Sequence, residues 1–250
     1  MDRYVALGSS MAAGPGIRPR APGSPRRAGR SARNYPHLVA ERLGLHLVDV
    51  TYSGATTADV LTNRRHGVAP QVDALDGSET LVTVTIGGND IGYVPMLFAA
   101  GLPRAAQSIP LLGGRIRDLL DPKARQRTID EVGGSLVRVG ETLRSCAPRA
   151  TVLFVDYLTL LPTQPPMRKA DAALAHHLAD SLERLTAEAA AATGCGLVRA
   201  ASASRDHHAW APDPWTTPFG WPLPGRPAPL HPNAAGMRAV ADLVVAEVGK

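Results

Sequence analysis

Residues 81–90 read LVTVTIGGND, an apolar run that ends in two glycines and two polar residues. The run is rich in β-branched side chains and almost continuously apolar, which is typical of a strand buried on both faces. Such strands belong to parallel sheets covered by helices, and ligands in these folds bind beyond the carboxyl ends of the strands. The polar pair Asn89 and Asp90 therefore stands where a binding or catalytic site is expected.

The same pattern recurs on both sides of this strand along the chain. Four further short apolar runs predict strands: 4–7, 46–50, 152–155 and 196–198. Apolar residues at helical spacing predict four helices: 35–43, about 121–144, about 170–193, and a last helix that begins near Asn233. Because strands alternate with helices, the sequence predicts an α/β protein with a parallel sheet between two layers of helices.

Length and composition indicate one folded unit. The chain has 250 residues, of which 44% are hydrophobic and 20% are charged. We expect a single domain over 1–250 with long loops at about 14–33 and 204–229. No run approaches the roughly 18 apolar residues that a membrane span requires. A strand is predicted within three residues of Met1, which leaves no room for a signal peptide, so we expect no stable membrane insertion and a cytoplasmic location.

The loop at 14–33 carries much of the positive charge. Lysine and arginine together number 27, against 22 for aspartate and glutamate, which gives a net charge of +5. Six arginines lie in this loop: Arg18, Arg20, Arg26, Arg27, Arg30 and Arg33. Such a patch can attract phosphate or an acidic surface. It has few aromatic residues for base stacking and no DNA-reading motif, so we expect a solvated loop and no nucleic-acid partner.

Several common α/β functions require signatures that this sequence lacks. It has neither Gly-x-x-x-x-Gly-Lys-Ser/Thr nor Gly-x-Gly-x-x-Gly after a strand, which argues against nucleotide and dinucleotide cofactors. Cys146 and Cys195 are too few for a disulfide framework and lack metal-ligand spacing, so we interpret them as small buried thiols. We therefore expect neither a metal nor a cofactor.

Four short polar blocks stand at the ends of predicted strands or just before predicted helices. They are Gly8-Ser9-Ser10 with Gly14, the segment 52–57, Gly87-Gly88-Asn89-Asp90, and His231-Pro232-Asn233. The carboxyl ends of parallel strands share one edge of a sheet, so the blocks are expected to meet there. Together they supply a serine, a histidine, a side-chain amide and a glycine whose backbone N–H can approach a ligand. These are the groups that acyl transfer requires.

In this order, and spread over almost the whole chain, the four blocks resemble those of the SGNH hydrolases, also called GDSL lipases and esterases. The segments 4–8, 12–16 and 30–36 are similar to those of actinobacterial members of that superfamily. The resemblance implies a three-layer α/β/α fold with a flavodoxin-like parallel sheet. It also implies a metal-independent serine hydrolase of carboxylic esters, whose substrate is a small-molecule ester or a lipid.

Carried onto this sequence, the resemblance makes Ser10 the nucleophile and His231 the base. It makes Gly54, Asn89 and the backbone N–H of Ser10 the donors of the oxyanion hole. The physical logic agrees with these roles. A serine hydroxyl needs a base within about 2.6–3.2 Å, histidine titrates in a suitable range, and the oxyanion needs donors that are already in place.

Two positions depart from the family pattern. The family usually has aspartate where Ser9 stands, which leaves Ser10 in place. The acid that usually lies three residues before the histidine is replaced by Ala228. We therefore expect a Ser-His dyad in which the carbonyl of Ala228, or of a neighbour, accepts the imidazole N–H. Asp213 in the preceding loop is the other candidate, as a third catalytic residue.

The apolar stretch directly after the asparagine block is expected to line the acyl side of the cleft. It leaves the same edge of the sheet as Asn89, and its candidate substrate-binding residues are Met96, Leu97 and Phe98. Such a wall predicts a preference for medium acyl chains over acetate. Asp90 we interpret as structural, because a carboxylate can hold its own loop through backbone hydrogen bonds.

Other functions fit the same blocks. A deacetylase or an acyltransferase could use the same dyad, and acyl transfer to an added alcohol would identify the transferase. A non-catalytic binding protein could keep the scaffold and bind an acidic partner through the arginine-rich loop. Labelling of Ser10 by a fluorophosphonate probe would exclude the binding protein, since that probe requires an activated nucleophile.

Overall fold

The computed structural model describes residues 2–103, 105, 109, 112–223 and 225–250. The strands in this part of the chain are β1 (Arg3–Gly8), β2 (His46–Asp49), β3 (Glu79–Thr85), β4 (Thr151–Val155) and β5 (Gly196–Val198). They form one parallel sheet in the order β2-β1-β3-β4-β5. This is the flavodoxin-like order, in which the strand sequence reverses between β1 and β3 and leaves a crevice at their carboxyl ends.

Helices cover both faces of this sheet. The described residues form nine α-helices: α1 (Ser10–Ala13), α2 (Tyr35–Leu43), α3 (Thr57–Leu61), α4 (Tyr93–Gly101), α5 (Leu112–Leu119), α6 (Pro122–Cys146), α7 (Lys169–Thr193), α8 (Ala200–Ala203) and α9 (Ala234–Val248). Two 3₁₀ turns are also present, at Arg26–Ala28 and Gln71–Ala74. The long helices α6 and α7 lie against each other, as do α2 and α9.

Alternate side chains of β1 enter two different hydrophobic cores. Val5 and Leu7 belong to the core that contains the apolar stripes of α6 and α7. Tyr4 and Ala6 belong to the core that contains those of α2 and α9. All four side chains are fully buried, as expected of a strand with helices on both faces. The predicted three-layer α/β/α arrangement is thus confirmed.

The predicted strands and long helices are confirmed, with small differences at their ends. β2 ends at Asp49, one residue short of the expected Val50, although Val50 N still donates to Ala6 O at 3.0 Å. Asn34 caps α2 by accepting from His37 N, and Asn233 caps α9 by accepting from Ala235 N.

The sequence did not predict the shorter helices α1, α3, α4, α5 and α8, which span four to nine residues each. Helices of that length show too few turns for a clear apolar period. The segment 14–33 contains the 3₁₀ turn Arg26–Ala28 and an isolated bridge between Arg20 and Ser31. The expectation of two buried thiols is wrong for Cys146, which is exposed at the end of α6, whereas Cys195 is half-buried.

In the described part of the chain, no helix has both the length and the apolar character needed to cross a membrane. The cytoplasmic location stays a prediction.

Candidate active site

Ser10 is placed by a tight turn between β1 and α1. Gly8 has a φ of +138°, and a Cβ there would lie 2.5 Å from Thr85 O, so only glycine fits. Ser9 caps α1, with its N–H donating to Thr85 O at 2.9 Å and its Oγ accepting from Met11 N. Ser10 is therefore the first residue of α1, at the carboxyl edge of the sheet, and it is 8% exposed.

A buried glutamine that the sequence analysis did not single out fixes this turn. Gly8 N donates to Gln71 Oε1 at 2.7 Å, and Gln71 Nε2 donates back to Gly8 O at 3.0 Å. Tyr52 N also donates to Gly8 O, at 2.9 Å. Because one side chain satisfies both backbone groups of Gly8, the residue that leads into Ser10 is held on both sides.

His231 and Ser10 are in hydrogen-bond contact although they are far apart in the sequence. His231 Nε2 lies 2.8 Å from Ser10 Oγ, and His231 Nδ1 lies 2.7 Å from Pro229 O. A carbonyl oxygen only accepts, so the Nδ1 proton is donated to Pro229 O. Nε2 is then the acceptor, and the Ser10 hydroxyl donates to it. This is the tautomer that a general base for serine requires.

The segment that carries His231 is fastened by a threonine that the sequence analysis missed. Thr217 N donates to His231 O at 2.9 Å, and Leu230 N donates to Thr217 O at 3.1 Å. Thr217 Oγ1 donates to Ala228 O at 2.5 Å. Leu230 has a φ of +60°, a strained conformation for a branched residue that persists only where its surroundings enforce it. The reversal at Leu230 turns Pro229 O back towards the imidazole.

The environment of His231 favours its neutral form. The side chain is deeply buried, and burial lowers the pKa of His231 below its usual value of 6.5, while the hydrogen bond to Pro229 O opposes this shift. Desolvation penalises the imidazolium more than one neutral carbonyl stabilises it. His231 is therefore available as a base at neutral pH.

The predicted oxyanion donors lie on neighbouring loops. Asn89 Nδ2 donates to Ala55 O at 2.8 Å, which fixes the amide beside Gly54 and leaves its second N–H for another acceptor. Within the described residues, neither Ser10 N nor Gly54 N has a protein acceptor. Free N–H groups at the carboxyl edge of the sheet can bind an oxygen with negative charge.

Tyr157, at the end of β4, connects the serine and asparagine blocks. Its hydroxyl lies 3.0 Å from Ser9 Oγ and accepts from Gly88 N at 3.1 Å. Asp90 connects the asparagine and glycine blocks, since it accepts from Thr57 N at 3.0 Å and from Thr57 Oγ1 at 2.6 Å. The structural interpretation of Asp90 is confirmed, although its partner is in another block rather than in its own loop.

Arg65 was not singled out from the sequence, yet it covers the glycine block. Its guanidinium Nη2 lies 2.6 Å from the point that a Cβ on Gly54 would occupy. Its Nη1 donates to Asp59 Oδ2 at 2.9 Å, and the guanidinium carbon stands 5.7 Å from the centre of the Tyr52 ring. Gly54 has a φ of +77°, a conformation that favours glycine.

The imidazole N–H of His231 is accepted by a neighbour of Ala228, Pro229, and not by Ala228 itself or by Asp213. Ala228 O accepts from Thr217 Oγ1, and the neighbouring carbonyl, that of Pro229, accepts the imidazole N–H. The Asp213 carboxylate is 3.5 Å from Nδ1 of another histidine, His207, and its side chain is 76% exposed. Asp213 is thus turned to solvent and to His207 because its loop runs past that ring.

The three candidate acyl-binding residues have different positions on α4. Leu97 lines a cavity of about 440 Å³ whose other lining residues include Arg168 and Leu230, the residue before His231. Phe98 is half-buried and packs edge-on against Phe219, which lines the same cavity, with ring centres 5.6 Å apart. Met96 is fully buried in the core and is not among the described residues that line this cavity. Successive helical residues point about 100° apart, so the stretch cannot form one wall.

Among the described residues, no group of three or more histidine, cysteine, aspartate or glutamate side chains is arranged to hold a metal ion.

The sequence profile of the GDSL-like lipase/acylhydrolase family matches residues 6–239, nearly the whole chain. The chain belongs to this family. It is 34% identical to "Lipase 2" of Streptomyces coelicolor, over 96% of this chain and 83% of that protein. The resemblance to the GDSL lipases and esterases is thereby confirmed.

Solved structures give the same result for the fold of this family member. A phospholipase A1 from Streptomyces albidoflavus is similar, with a TM-score of 0.81 and 25% identity, over 98% of this chain and 99% of that one. An extracellular lipase from Streptomyces rimosus superposes with a TM-score of 0.76 and 23% identity, over 99% of this chain and all of that one. The SGNH-type fold that the four blocks implied is therefore correct.

Proposed function

We propose that this GDSL-family protein hydrolyses carboxylic esters with Ser10 as nucleophile and His231 as general base. The observation that carries the proposal is the contact of 2.8 Å between Ser10 Oγ and His231 Nε2, together with the hydrogen bond that fixes the opposite ring nitrogen on Pro229 O. Because the proton resides on Nδ1, Nε2 has its lone pair directed at the serine hydroxyl.

The reaction proceeds by two acyl transfers. Ser10 Oγ attacks the ester carbonyl carbon while His231 Nε2 takes the hydroxyl proton. The tetrahedral intermediate collapses, the ester C–O bond breaks, and the leaving oxygen takes that proton from His231 and departs as an alcohol. Water then attacks the acyl-serine, with His231 first taking its proton and then returning one to Ser10 Oγ. The products are a carboxylic acid and an alcohol.

The oxyanion of each tetrahedral intermediate is bound by Ser10 N, Gly54 N and Asn89 Nδ2. The free N–H groups of Ser10 and Gly54 and the fixed amide of Asn89 support this role. Donors that are already oriented stabilise the developing charge without reorganisation, and losing one typically costs on the order of 100-fold in turnover.

No carboxylate takes part in this mechanism. Pro229 O holds the ring in one tautomer and partly stabilises the imidazolium that forms during each transfer. A carbonyl provides only a partial charge, so His231 depends on burial and on the rigid 217–231 segment for its orientation. The acyl chain enters the cavity next to Leu230, along its apolar side chains Leu97 and Phe219, which supports a lipid or medium-chain ester as substrate, as the names of the relatives also do.

The two adjacent serines of the first block allow a matched test. In Ser10→Ala, ester hydrolysis should fall on the order of a thousandfold or more, and fluorophosphonate labelling should disappear. Ser9→Ala removes a helix cap and should cost about 1 kcal/mol of stability while labelling remains. Hydrolysis is measured on p-nitrophenyl esters from acetate to palmitate, and folding by circular dichroism. Labelling that persists in a folded Ser10→Ala variant would refute the proposal.

A further inference from the structure

The turn that carries His231 pairs with a second stretch of the long loop before it. Thr217 N donates to His231 O at 2.9 Å, and Leu230 N donates to Thr217 O at 3.1 Å. Next to them, Thr216 and Pro232 form an isolated antiparallel bridge. These contacts use backbone atoms, so they do not depend on which side chains stand at positions 216 and 217.

The Thr217 side chain adds contacts that the backbone of its own segment does not supply. Its hydroxyl donates to Ala228 O at 2.5 Å and accepts from His231 N at 3.3 Å, since a hydroxyl can donate and accept at the same time. Ala228 and His231 lie on either side of Pro229 and Leu230. One side chain therefore joins the two ends of the turn, around the Pro229 carbonyl that accepts the imidazole N–H at 2.7 Å.

Leu230 makes such a constraint necessary. Its φ of +60° lies in the left-handed region, which a branched residue adopts only where its surroundings enforce it. Rotation of this φ to a negative value would reorient the peptide group between Pro229 and Leu230, and the oxygen of that group is the one that faces His231 Nδ1. Loss of the Thr217 hydroxyl is thus expected to release the acceptor of the imidazole proton.

The position of this carbonyl matters more here than it would in a catalytic triad. In the described part of the chain, Pro229 O is the one hydrogen-bond partner of His231 Nδ1. The residue three positions before the histidine, where the family usually has an acid, is Ala228. A carboxylate attracts the imidazolium with a full charge, whereas a carbonyl offers a partial charge and depends on its direction. A carbonyl that turned away would leave the ring without an orienting partner.

We propose that Thr217 is a positioning residue for ester hydrolysis, whose hydroxyl fixes the turn so that Pro229 O keeps the imidazole proton of His231 on Nδ1. The Nε2 lone pair then stays directed at Ser10 Oγ, 2.8 Å away. This role rests on the proposed function, and it gives a hydroxyl, acting through the backbone, the orienting task that a carboxylate has in a triad. Thr217 itself takes no proton and binds no substrate.

The preceding threonine provides a matched control. Thr216 is buried, and within the described residues its Oγ1 has no hydrogen-bond partner. Thr216→Val and Thr217→Val both replace a hydroxyl by a methyl group, but only Thr217→Val breaks a hydrogen bond of that hydroxyl. Thr217→Ser keeps the hydroxyl and serves as the rescue variant. Thr217→Ala is a second variant without the hydroxyl, for use if Thr217→Val does not fold by circular dichroism.

Steady-state kinetics on p-nitrophenyl octanoate give the first readout. In Thr217→Val, kcat should fall about tenfold or more while KM changes less than about threefold, because the oriented base is needed in the transition state and not for binding of the ester. Thr217→Ser and Thr216→Val should keep kcat within about threefold of the wild type. A wild-type kcat in folded Thr217→Val or Thr217→Ala would overturn the positioning role. So would an equal loss in Thr216→Val, which would indicate a general packing requirement.

Nitrogen NMR of isotope-labelled histidine reads the tautomer of His231 without turnover. At about pH 8 the ring is neutral, and its signals are assigned by their absence in His231→Ala. The wild type and Thr216→Val should show the proton on Nδ1 alone, and Thr217→Val should show a mixture of both tautomers. A proton fixed on Nδ1 in Thr217→Val would overturn the positioning role even where Ser10 is the nucleophile. If the wild type has this tautomer but neither hydrolyses esters nor reacts with a fluorophosphonate, the proposed function fails, and the role of Thr217 in that reaction fails with it.

Discussion

His231 and His207 are both hydrogen-bonded to a backbone carbonyl, but their surroundings differ. In each, Nδ1 is hydrogen-bonded to a backbone carbonyl, Pro229 O at 2.7 Å for His231 and Asp213 O at 2.8 Å for His207. His231 is deeply buried and its other nitrogen contacts Ser10 Oγ. The His207 ring stacks on Trp215 with centres 4.0 Å apart, and a carboxylate oxygen of Asp213 lies 3.5 Å from its Nδ1.

Under the proposed mechanism, orientation by a carbonyl is not enough to make a histidine the catalytic base. His207 has the carboxylate that a catalytic triad would use, yet its ring is packed against an indole and does not face a nucleophile. His231 lacks the carboxylate but has the nucleophile, burial and a fixed tautomer. We infer that the protein uses one histidine for chemistry and the other for packing of the 204–229 loop.

The largest expected effect on kcat/KM comes from substituting each of the two histidines in turn. His231→Ala should lower kcat/KM for ester hydrolysis on the order of a thousandfold or more, as much as Ser10→Ala, because both remove the same proton-transfer unit. His207→Ala should leave kcat/KM within about threefold and lower the unfolding free energy by about 0.5–1.5 kcal/mol, through loss of the stack on Trp215. Steady-state kinetics and urea unfolding measure the two effects.

A loss of kcat/KM in His207→Ala as large as that in His231→Ala would contradict the different roles inferred for the two histidines. So would a His231→Ala variant that keeps wild-type turnover while folded. Because Ser10 and His231 act as one unit, the double variant Ser10→Ala/His231→Ala should be little worse than either single variant.

The second prediction concerns the pH profile of kcat/KM. Burial lowers the pKa of His231 below 6.5, and the neutral ring is the active base, so the acid limb should lie below pH 6.5. If the pKa of His231 were 6.5, roughly a tenth of the rings would be neutral at pH 5.5, and kcat/KM would fall about tenfold. Because the pKa is lower, we expect a smaller fall in kcat/KM at that pH. Between pH 6.5 and the lowered pKa, His231 binds fewer protons in the folded state than in the unfolded chain. The contribution of His231 to the free energy of unfolding therefore decreases as the pH falls through this range. An acid limb at or above 6.5 would contradict the assignment.

Asp156, near the site, also titrates close to neutral pH, so the pH profile requires a control at this residue. Burial raises the pKa of Asp156 to about 7, and this residue borders a small cavity with Met11 and Pro232. Asp156 accepts from Ala201 N at 2.7 Å, and Asp156→Asn keeps an oxygen for that bond. The acid limb should be unchanged in Asp156→Asn, since it belongs to His231. If the acid limb of kcat/KM shifts in Asp156→Asn, that limb reports the titration of Asp156 instead.

The sequence predicted the strands and the longer helices and singled out the candidate site residues, because these signals are local. Strands buried on both faces show in residues 81–86, and Ser10, Asn89 and His231 stand in blocks at the ends of elements. The parts that hold them were not predicted. Gln71 and Thr217 act on Gly8 and His231 through contacts that only the folded chain brings together.

The acceptor for His231 was predicted as a class, a backbone carbonyl at or near Ala228, but not as a residue. It depends on the positive φ of Leu230, and no residue type at that position signals such a conformation. The acyl wall was partly wrong for a similar reason. Without a predicted helix, residues 96–98 were treated as one surface, whereas α4 directs Met96 into the core.

The smallest expected effect on turnover is that of removing the Asp213 carboxylate. In a triad, loss of the carboxylate can cost about 10,000-fold in turnover, because it fixes the tautomer and stabilises the imidazolium. In this protein Pro229 O fixes the His231 tautomer, and the Asp213 carboxylate lies beside His207. Asp213→Asn should therefore lower kcat by less than about tenfold. Since the exposed Asp213–His207 contact contributes at most about 1 kcal/mol, the fold should persist by circular dichroism. A loss of a thousandfold or more in a folded Asp213→Asn variant would mean that Asp213 moves to His231 during catalysis, and the functional division between the two histidines would be wrong.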